Sequence, residues 1–170
     1  TIFSFDTTQL PNLEQAGGKA LALIEMTNAG MPVPPGFVLT VDFFKPWVDA
    51  LKESPHWSAL TTATANEIGQ TTQAIQELSR TLIFTAEQKD ELEQALTSFR
   101  KSNHGHLYAV RSSSPEEDLE GASFAGGYET TLGVTVDGIE VAIRHSFTSS
   151  FDERVFLYKK EHGFQLNEPR

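Results

Sequence analysis

The residues in this chain best suited to chemistry are Arg111, followed by Ser112-Ser113-Ser114, Pro115 and the acids Glu116-Glu117-Asp118, and Lys19, which follows Gly17-Gly18. A planar five-donor guanidinium grips phosphate oxygens in pairs, and a lysine adds a point charge. Gly121, Gly126 and Gly127 come after the acids, where backbone N–H groups can approach a ligand closely. A Gly-Gly turn into a helix start exposes unpaired N–H groups that favour an anion. A lysine there opposes the helix dipole, and a bound anion would relieve it. The chemistry indicated is therefore phosphate binding. A plainer reading stays open: Arg111 pairs with a nearby acid, Ser114-Pro115-Glu116-Glu117 caps a short helix, and Lys19 is solvated.

Neither common phosphate motif is present. A Walker loop would need glycine at Leu13 and a hydroxyl at Ala20, and no GxGxxG follows a strand. The chain has 170 residues, 39% of them apolar, which suffices for a core. A net charge of −10 argues against a nucleic-acid partner. Cysteine is absent, which removes disulfides, thiolate catalysis and cysteine zinc sites. His104 and His106 flank Gly105 with no third ligand at metal spacing. No apolar run reaches the roughly 18 residues of a membrane span, and Thr1–Asp6 does not resemble a signal peptide. A soluble cytoplasmic protein is expected, without a membrane partner. The first residue is not Met and Asn167-Glu168-Pro169-Arg170 ends abruptly, so a piece of a longer chain is expected.

Periodicity supplies the elements that must position these groups. Ile2–Phe5, Phe37–Thr40, Leu107–Ser112 and Tyr128–Val136 read as strands of one small mixed sheet. Alternation sets Leu107, Ala109 and Arg111 on one face, and Tyr108, Val110 and Ser112 on the other. A helix is expected from about Lys19 to Ala29, with Ala20, Leu23, Ile24 and Thr27 inward, Gly30 as its left-handed cap and Pro32 as its stop. A second helix runs from Phe43 to Leu51, then a loop over Ser54–Ser58. Residues 51–105 read as a helical hairpin insertion. Its helices run from about Thr62 to Leu82, with Ala65, Ile68, Thr72, Ile75 and Leu78 inward, and from Thr85 to Lys101, capped by Thr85 with Gln88. After Asp137-Gly138, one helix is expected through Phe147 and on past Phe151 to Tyr158, with Arg144 and Arg154 on its surface. The fold class is α+β.

Two stretches together are more specific than either alone. Gly17-Gly18-Lys19, Ala22-Leu23-Ile24-Glu25-Met26 and Gly30-Met31-Pro32-Val33-Pro34-Pro35-Gly36-Phe37 resemble the opening of the phosphoenolpyruvate synthase and pyruvate phosphate dikinase family. Tyr108-Ala109-Val110-Arg111-Ser112-Ser113, Glu117-Asp118-Leu119 and Ala122-Ser123-Phe124-Ala125-Gly126 resemble its second signature. Glu129-Thr130 to Leu132 and Ser149 to Arg154 also fit. The resemblance implies the N-terminal lobe of an ATP-grasp domain, here residues 1–170. Members transfer ATP phosphates to a histidine on a separate swivelling domain, release AMP, and pass a phosphoryl group to pyruvate or, in relatives, to rifampicin or a glucan.

Carried over by position, Lys19 and Arg111 resemble the residues that hold ATP phosphates, and Gly126 and Thr130 resemble nucleotide contacts. Glu120 and Gly127 depart from the family pattern without removing a charge. The implied cofactors are ATP and Mg2+. The magnesium ligands, a second phosphate-binding arginine and the swivelling histidine would lie beyond this stretch, so it is not expected to complete the reaction alone. The implied partners are the rest of the ATP-grasp lobe and the phosphohistidine domain. Lys19 and Arg111 are expected to share one phosphate chain. Two other readings remain: a non-catalytic module for a phosphate-bearing ligand, and an acidic phosphorylation segment over Ser112–Asp118 of a structural domain.

Overall fold

The structure is a computed structural model; it describes residues 1–102, 107–113, 130–161, 163 and 166. The predicted capping box at Ser114, the glycine loop with Gly126, and His104 and His106 lie outside these residues. The described chain is a mixture of helices and short strands, α+β in class. It divides into two compact units, residues 1–46, 83–105 and 113–120 in the first, and 47–82, 106–112 and 121–170 in the second.

In the first unit, β1 (Ile2–Ser4) pairs antiparallel with β2 (Phe37–Leu39), with Phe3 opposite Val38. The ribbon packs with helix α1 (Leu13–Asn28), whose Ala16, Ala20 and Ile24 form a small core with Val38, flanked by Phe3 and Phe5. That face repeats at helical spacing, as the sequence pattern requires. The helix expected from about Lys19 is preceded, across a kink at Gly17, by a further helical segment. Asn12 caps it: its side chain accepts the Gln15 N–H at 2.8 Å, while the Gln15 side chain accepts the Asn12 N–H at 3.1 Å. Its end is as predicted. Gly30 takes φ +75°, and the Gly30 and Met31 N–H groups bond back to Thr27 and Met26, a Schellman arrangement.

Helix α2 (Val41–Lys52) contains Pro46, beyond its first turn, and the division between the units falls just after that residue. On the first unit's side Phe43 is fully buried and meets Phe44 and Phe84 edge-on or tilted. Gln88, on α5 (Ala86–Ser102), donates from Nε2 to the Phe43 carbonyl at 2.8 Å. The predicted Thr85–Gln88 capping box is formed.

The second unit gathers α3 (Pro55–Leu60), α4 (Ala65–Arg80), α6 (Ile139–Ser149) and α7 (Glu153–Glu161) around Leu51, Trp57, Leu60, Ile68, Ile75, Phe151 and Phe156. Within α4 the predicted inward residues Ile68, Thr72 and Ile75 are buried, whereas Ala65 is exposed. Helix α3 replaces the expected loop, because Ser54 accepts the Trp57 N–H and Pro55 opens the first turn. The helix expected to run through Tyr158 is two helices. Asp152 breaks it by capping α7, accepting the Arg154 N–H at 2.9 Å. Arg154 is exposed as expected, while Arg144 is half-buried. The buried Ser79 and Thr148 hydroxyls bond at 2.7 Å between α4 and α6.

One expectation is corrected. The strands form two separate two-stranded antiparallel ribbons among the described residues, β1–β2 and β3–β4, and not one mixed sheet. Each ribbon covers its apolar side with helices of its own unit. Residues 51–105 divide between the units: α4 belongs to the second and packs on α3, α6 and α7, whereas α5 belongs to the first and packs on β1. Amphipathic periodicity shows that a helix has a buried face, not which neighbour covers it. Among the described residues no helix is long and apolar enough to cross a membrane.

Candidate functional site

Arg111 ends β3 (Tyr108–Arg111), and Thr130 begins β4 (Thr130–Val134). The two strands run antiparallel with Arg111 directly opposite Thr130 and Val110 opposite Thr131. Directly opposed residues project to the same side of a ribbon, so two predicted nucleotide contacts share one end and one face. Both are exposed. The alternation read from the sequence is present: Leu107, Ala109 and Arg111 are exposed, and Tyr108, Val110 and Ser112 are half-buried.

A bulge interrupts the register between Tyr108 and Val110, leaving Leu132 and Gly133 opposite Ala109. Gly133 there takes φ +68°. Behind the ribbon, buried Val134 and α6 residues Ile139, Ala142 and Ile143 supply apolar backing. A shallow concavity of about 500 Å³ beside them is lined mainly by Leu132, Val134, Val141 and Ala142, with His145 at its edge. It contains none of the predicted phosphate ligands.

In the first unit, the Gly-Gly-Lys stretch opens the helical segment expected from about Lys19, and a kink at Gly17 joins that segment to the one before it, so that α1 is two segments with a break between them. Gly17 has φ 74° and ψ 160°, a region open essentially only to glycine. In an unbroken helix the Ala20 N–H would bond to the Ala16 carbonyl. Here the Ser113 hydroxyl stands between them. It accepts the Ala20 N–H at 2.8 Å and donates to the Ala16 carbonyl at 2.8 Å. A Cβ on Gly17 would lie 1.6 Å from the Ser113 carbonyl oxygen, so this position needs glycine for space as well as for conformation.

The expected helix N-terminus is present after the kink, but not all of its amides are free. The Ala20 N–H is already taken by Ser113. Lys19 follows the break by two residues and is exposed. Lys19 belongs to the first unit, and Arg111 and Thr130 to the second. Sequence reasoning counted Ser113 only among the hydroxyls after Arg111. The signal available was its place in the second signature together with the Gly-Gly pair in the first. Glycines that admit no Cβ imply a close neighbour, though not which one.

Electrostatics away from these residues is local. Hydrogen bonds from the Arg154 side chain, at 2.8 and 3.1 Å, hold the Asp152 carboxyl below its ordinary range. Among the described residues no three His, Asp or Glu side chains gather as a metal site would require.

The chain matches the model of the pyruvate phosphate dikinase AMP/ATP-binding domain over residues 13–169. It is 34% identical over 155 residues to the uncharacterized phosphotransferase YvkC of Bacillus subtilis, covering 91% of this chain and 17% of that protein. It is 32% identical over 172 residues to the phosphoenolpyruvate synthase of Pseudomonas aeruginosa, covering 96% of this chain and 22% of that enzyme. With the phosphoenolpyruvate synthase of Escherichia coli it shares 30% over 162 residues, covering 90% of this chain and 20% of the enzyme. The chain thus spans about a fifth of the length of these relatives. Both signatures, with the glycine break and the strand pair that carry them, lie inside the matched span: this chain belongs to the pyruvate phosphate dikinase AMP/ATP-binding domain family.

Proposed function

We propose that this stretch is the ATP-binding part of a phosphoenolpyruvate synthase-like dikinase. In the whole protein ATP would phosphorylate a histidine on a separate domain, and the phosphoryl group would pass to pyruvate. The net reaction is ATP, pyruvate and water to AMP, phosphoenolpyruvate and phosphate. Lys19 and Arg111 would hold the phosphates, with Gly126 and Thr130 against the nucleotide. Phosphoryl transfer asks a protein mainly for cations and oriented donors, which these residues can supply. Magnesium would accompany ATP on ligands outside this stretch. The fold is read as an ATP-grasp lobe on the same grounds.

The observation that carries the reading is the register of β3 and β4, which sets Arg111 opposite Thr130 at one end of the ribbon. The family match and the relatives named phosphoenolpyruvate synthase support it. A second acceptor stays in view, because the relative matched at 34% identity is named only as a phosphotransferase; rifampicin or a glucan would then replace pyruvate.

The test is calorimetric titration of the complete polypeptide with ATP and magnesium, beside Lys19→Ala and Arg111→Ala. Losing a charge-assisted hydrogen bond removes about 1.5–3 kcal/mol, so each variant should bind ATP roughly 10- to 150-fold more weakly. AMP release that depends on pyruvate identifies the acceptor, and release that depends on rifampicin or a glucan replaces it. Unchanged ATP affinity in both variants would refute the site.

A further inference from the structure

We propose that Ser113 is a positioning residue for the phosphate site, its hydroxyl holding α1 open at Gly17 so that Gly18 and Lys19 are presented to the nucleotide. The inference rests on the ATP reading above and deepens it. Its role is indirect: it acts through the backbone of α1.

Three observations within the first unit carry it. The hydroxyl replaces one specific helical bond, accepting from Ala20 N–H and donating to Ala16 C=O, each at 2.8 Å. It therefore satisfies both groups that the break would otherwise leave without their helical partners. The break is of a kind only glycine allows, and Gly17 lies so close to Ser113 that a Cβ would be 1.6 Å from its carbonyl oxygen. Lys19 lies between the break and the Ala20 amide that Ser113 holds, so the direction in which residues 18 and 19 face depends on the break persisting. Without the hydroxyl, the cheapest way to satisfy Ala16 and Ala20 is for them to bond to each other. That closes the break and rewinds residues 17–20 as ordinary helix. Gly18 and Lys19 would rotate with them.

A second consequence is linkage between the two signatures. Ser113 lies two residues after Arg111 in the chain. The same side chain that opens α1 therefore belongs to the second signature. A hydroxyl opens α1 where alanine cannot, because the task needs a donor and an acceptor on one atom.

The test compares ATP and adenosine binding to the complete polypeptide, in the parent and in Ser113→Ala, Ser113→Thr and Ser113→Cys. Adenosine has no phosphates, so it reports the nucleoside pocket alone. The expected result is about tenfold weaker ATP binding in Ser113→Ala with adenosine affinity unchanged, and recovery in Ser113→Thr, which keeps the hydroxyl. Ser113→Cys keeps the size with a weak donor and acceptor, and should behave like alanine. It carries the comparison if Ser113→Ala does not fold. Parent-like ATP affinity in both the Ala and Cys variants overturns the inference and leaves the ATP reading standing. Equal weakening of ATP and adenosine, without recovery in Ser113→Thr, also overturns it by showing a general structural role. A parent that binds no ATP removes the underlying reading and this inference with it.

Discussion

Replacing Gly17 with alanine is the sharpest probe of the broken helix. With the break kept, alanine would occupy a backbone region that costs about 1–3 kcal/mol. Its Cβ would sit 1.6 Å from the Ser113 carbonyl oxygen, which would have to retreat about 1.4 Å to reach the 3.0 Å floor for such contacts. A retreat of that size breaks both 2.8 Å bonds of the Ser113 hydroxyl, each worth about 1 kcal/mol net. The total is about 4 kcal/mol. The alternative is cheaper. If α1 rewinds, the Ala16–Ala20 bond forms, and alanine gains about 1 kcal/mol over glycine in a helix. The two Ser113 bonds are still lost, but α1 is repaired. The variant should take this route. Hydrogen–deuterium exchange resolved by peptide would then show residues 13–28 as protected as in the parent or more so. Residue 113, deprived of about 2 kcal/mol, should exchange roughly 30-fold faster. Faster exchange confined to α1, or no change at residue 113, would refute the claim that Ser113 is held by the break.

Other expectations follow from separate contacts. Ser79→Ala should cost about 1–3 kcal/mol, because the buried Thr148 hydroxyl loses its partner at 2.7 Å, whereas adding Thr148→Val should recover part of that cost; a double-mutant cycle by chemical denaturation reads the coupling. The Asp152 carboxyl titrates below its ordinary value because Arg154 hydrogen-bonds it, so its contribution to α7 is present above about pH 4 and is lost as pH falls through the depressed folded value. A carbon-13 NMR titration checks this, and a value at or above 3.9 would refute it. If Lys19 and Arg111 dominate ATP binding, affinity should fall as salt rises from 0.05 to 0.5 M, despite the chain's net charge of −10; affinity that rises with salt would mean that overall repulsion dominates instead.

What was legible in the sequence was local. The Thr85–Gln88 box, the Gly30 cap and the buried stripe of α4 each follow from a few neighbouring residues, and each is present in the structure. The family signature was legible because type and order suffice for it. What failed depended on partners distant in the chain. Two strand pairs were merged into one sheet because alternation marks a strand without naming its neighbour. An apolar stripe likewise does not say which unit a helix joins: α4 belongs to the second and α5 to the first. The break at Gly17 was missed because its cause, Ser113, is 96 positions away in the sequence.

That separation also bears on how the site can be built. A Gly-Gly pair alone would leave residues 17–20 free to wind as helix or to open. A serine after a strand arginine would by itself be one more polar side chain near a turn. Only together do they give one outcome, since the hydroxyl has the donor and acceptor that the opened turn lacks, and the glycine has the space that the serine backbone needs. The cost of opening the helix is offset by bonds that exist only when residue 113 has docked. Order in the Gly-Gly-Lys stretch is therefore conditional on the placement of Ser113. Substitutions at Gly17 and at Ser113 should consequently be strongly non-additive, since either one alone removes the bonds that the other needs.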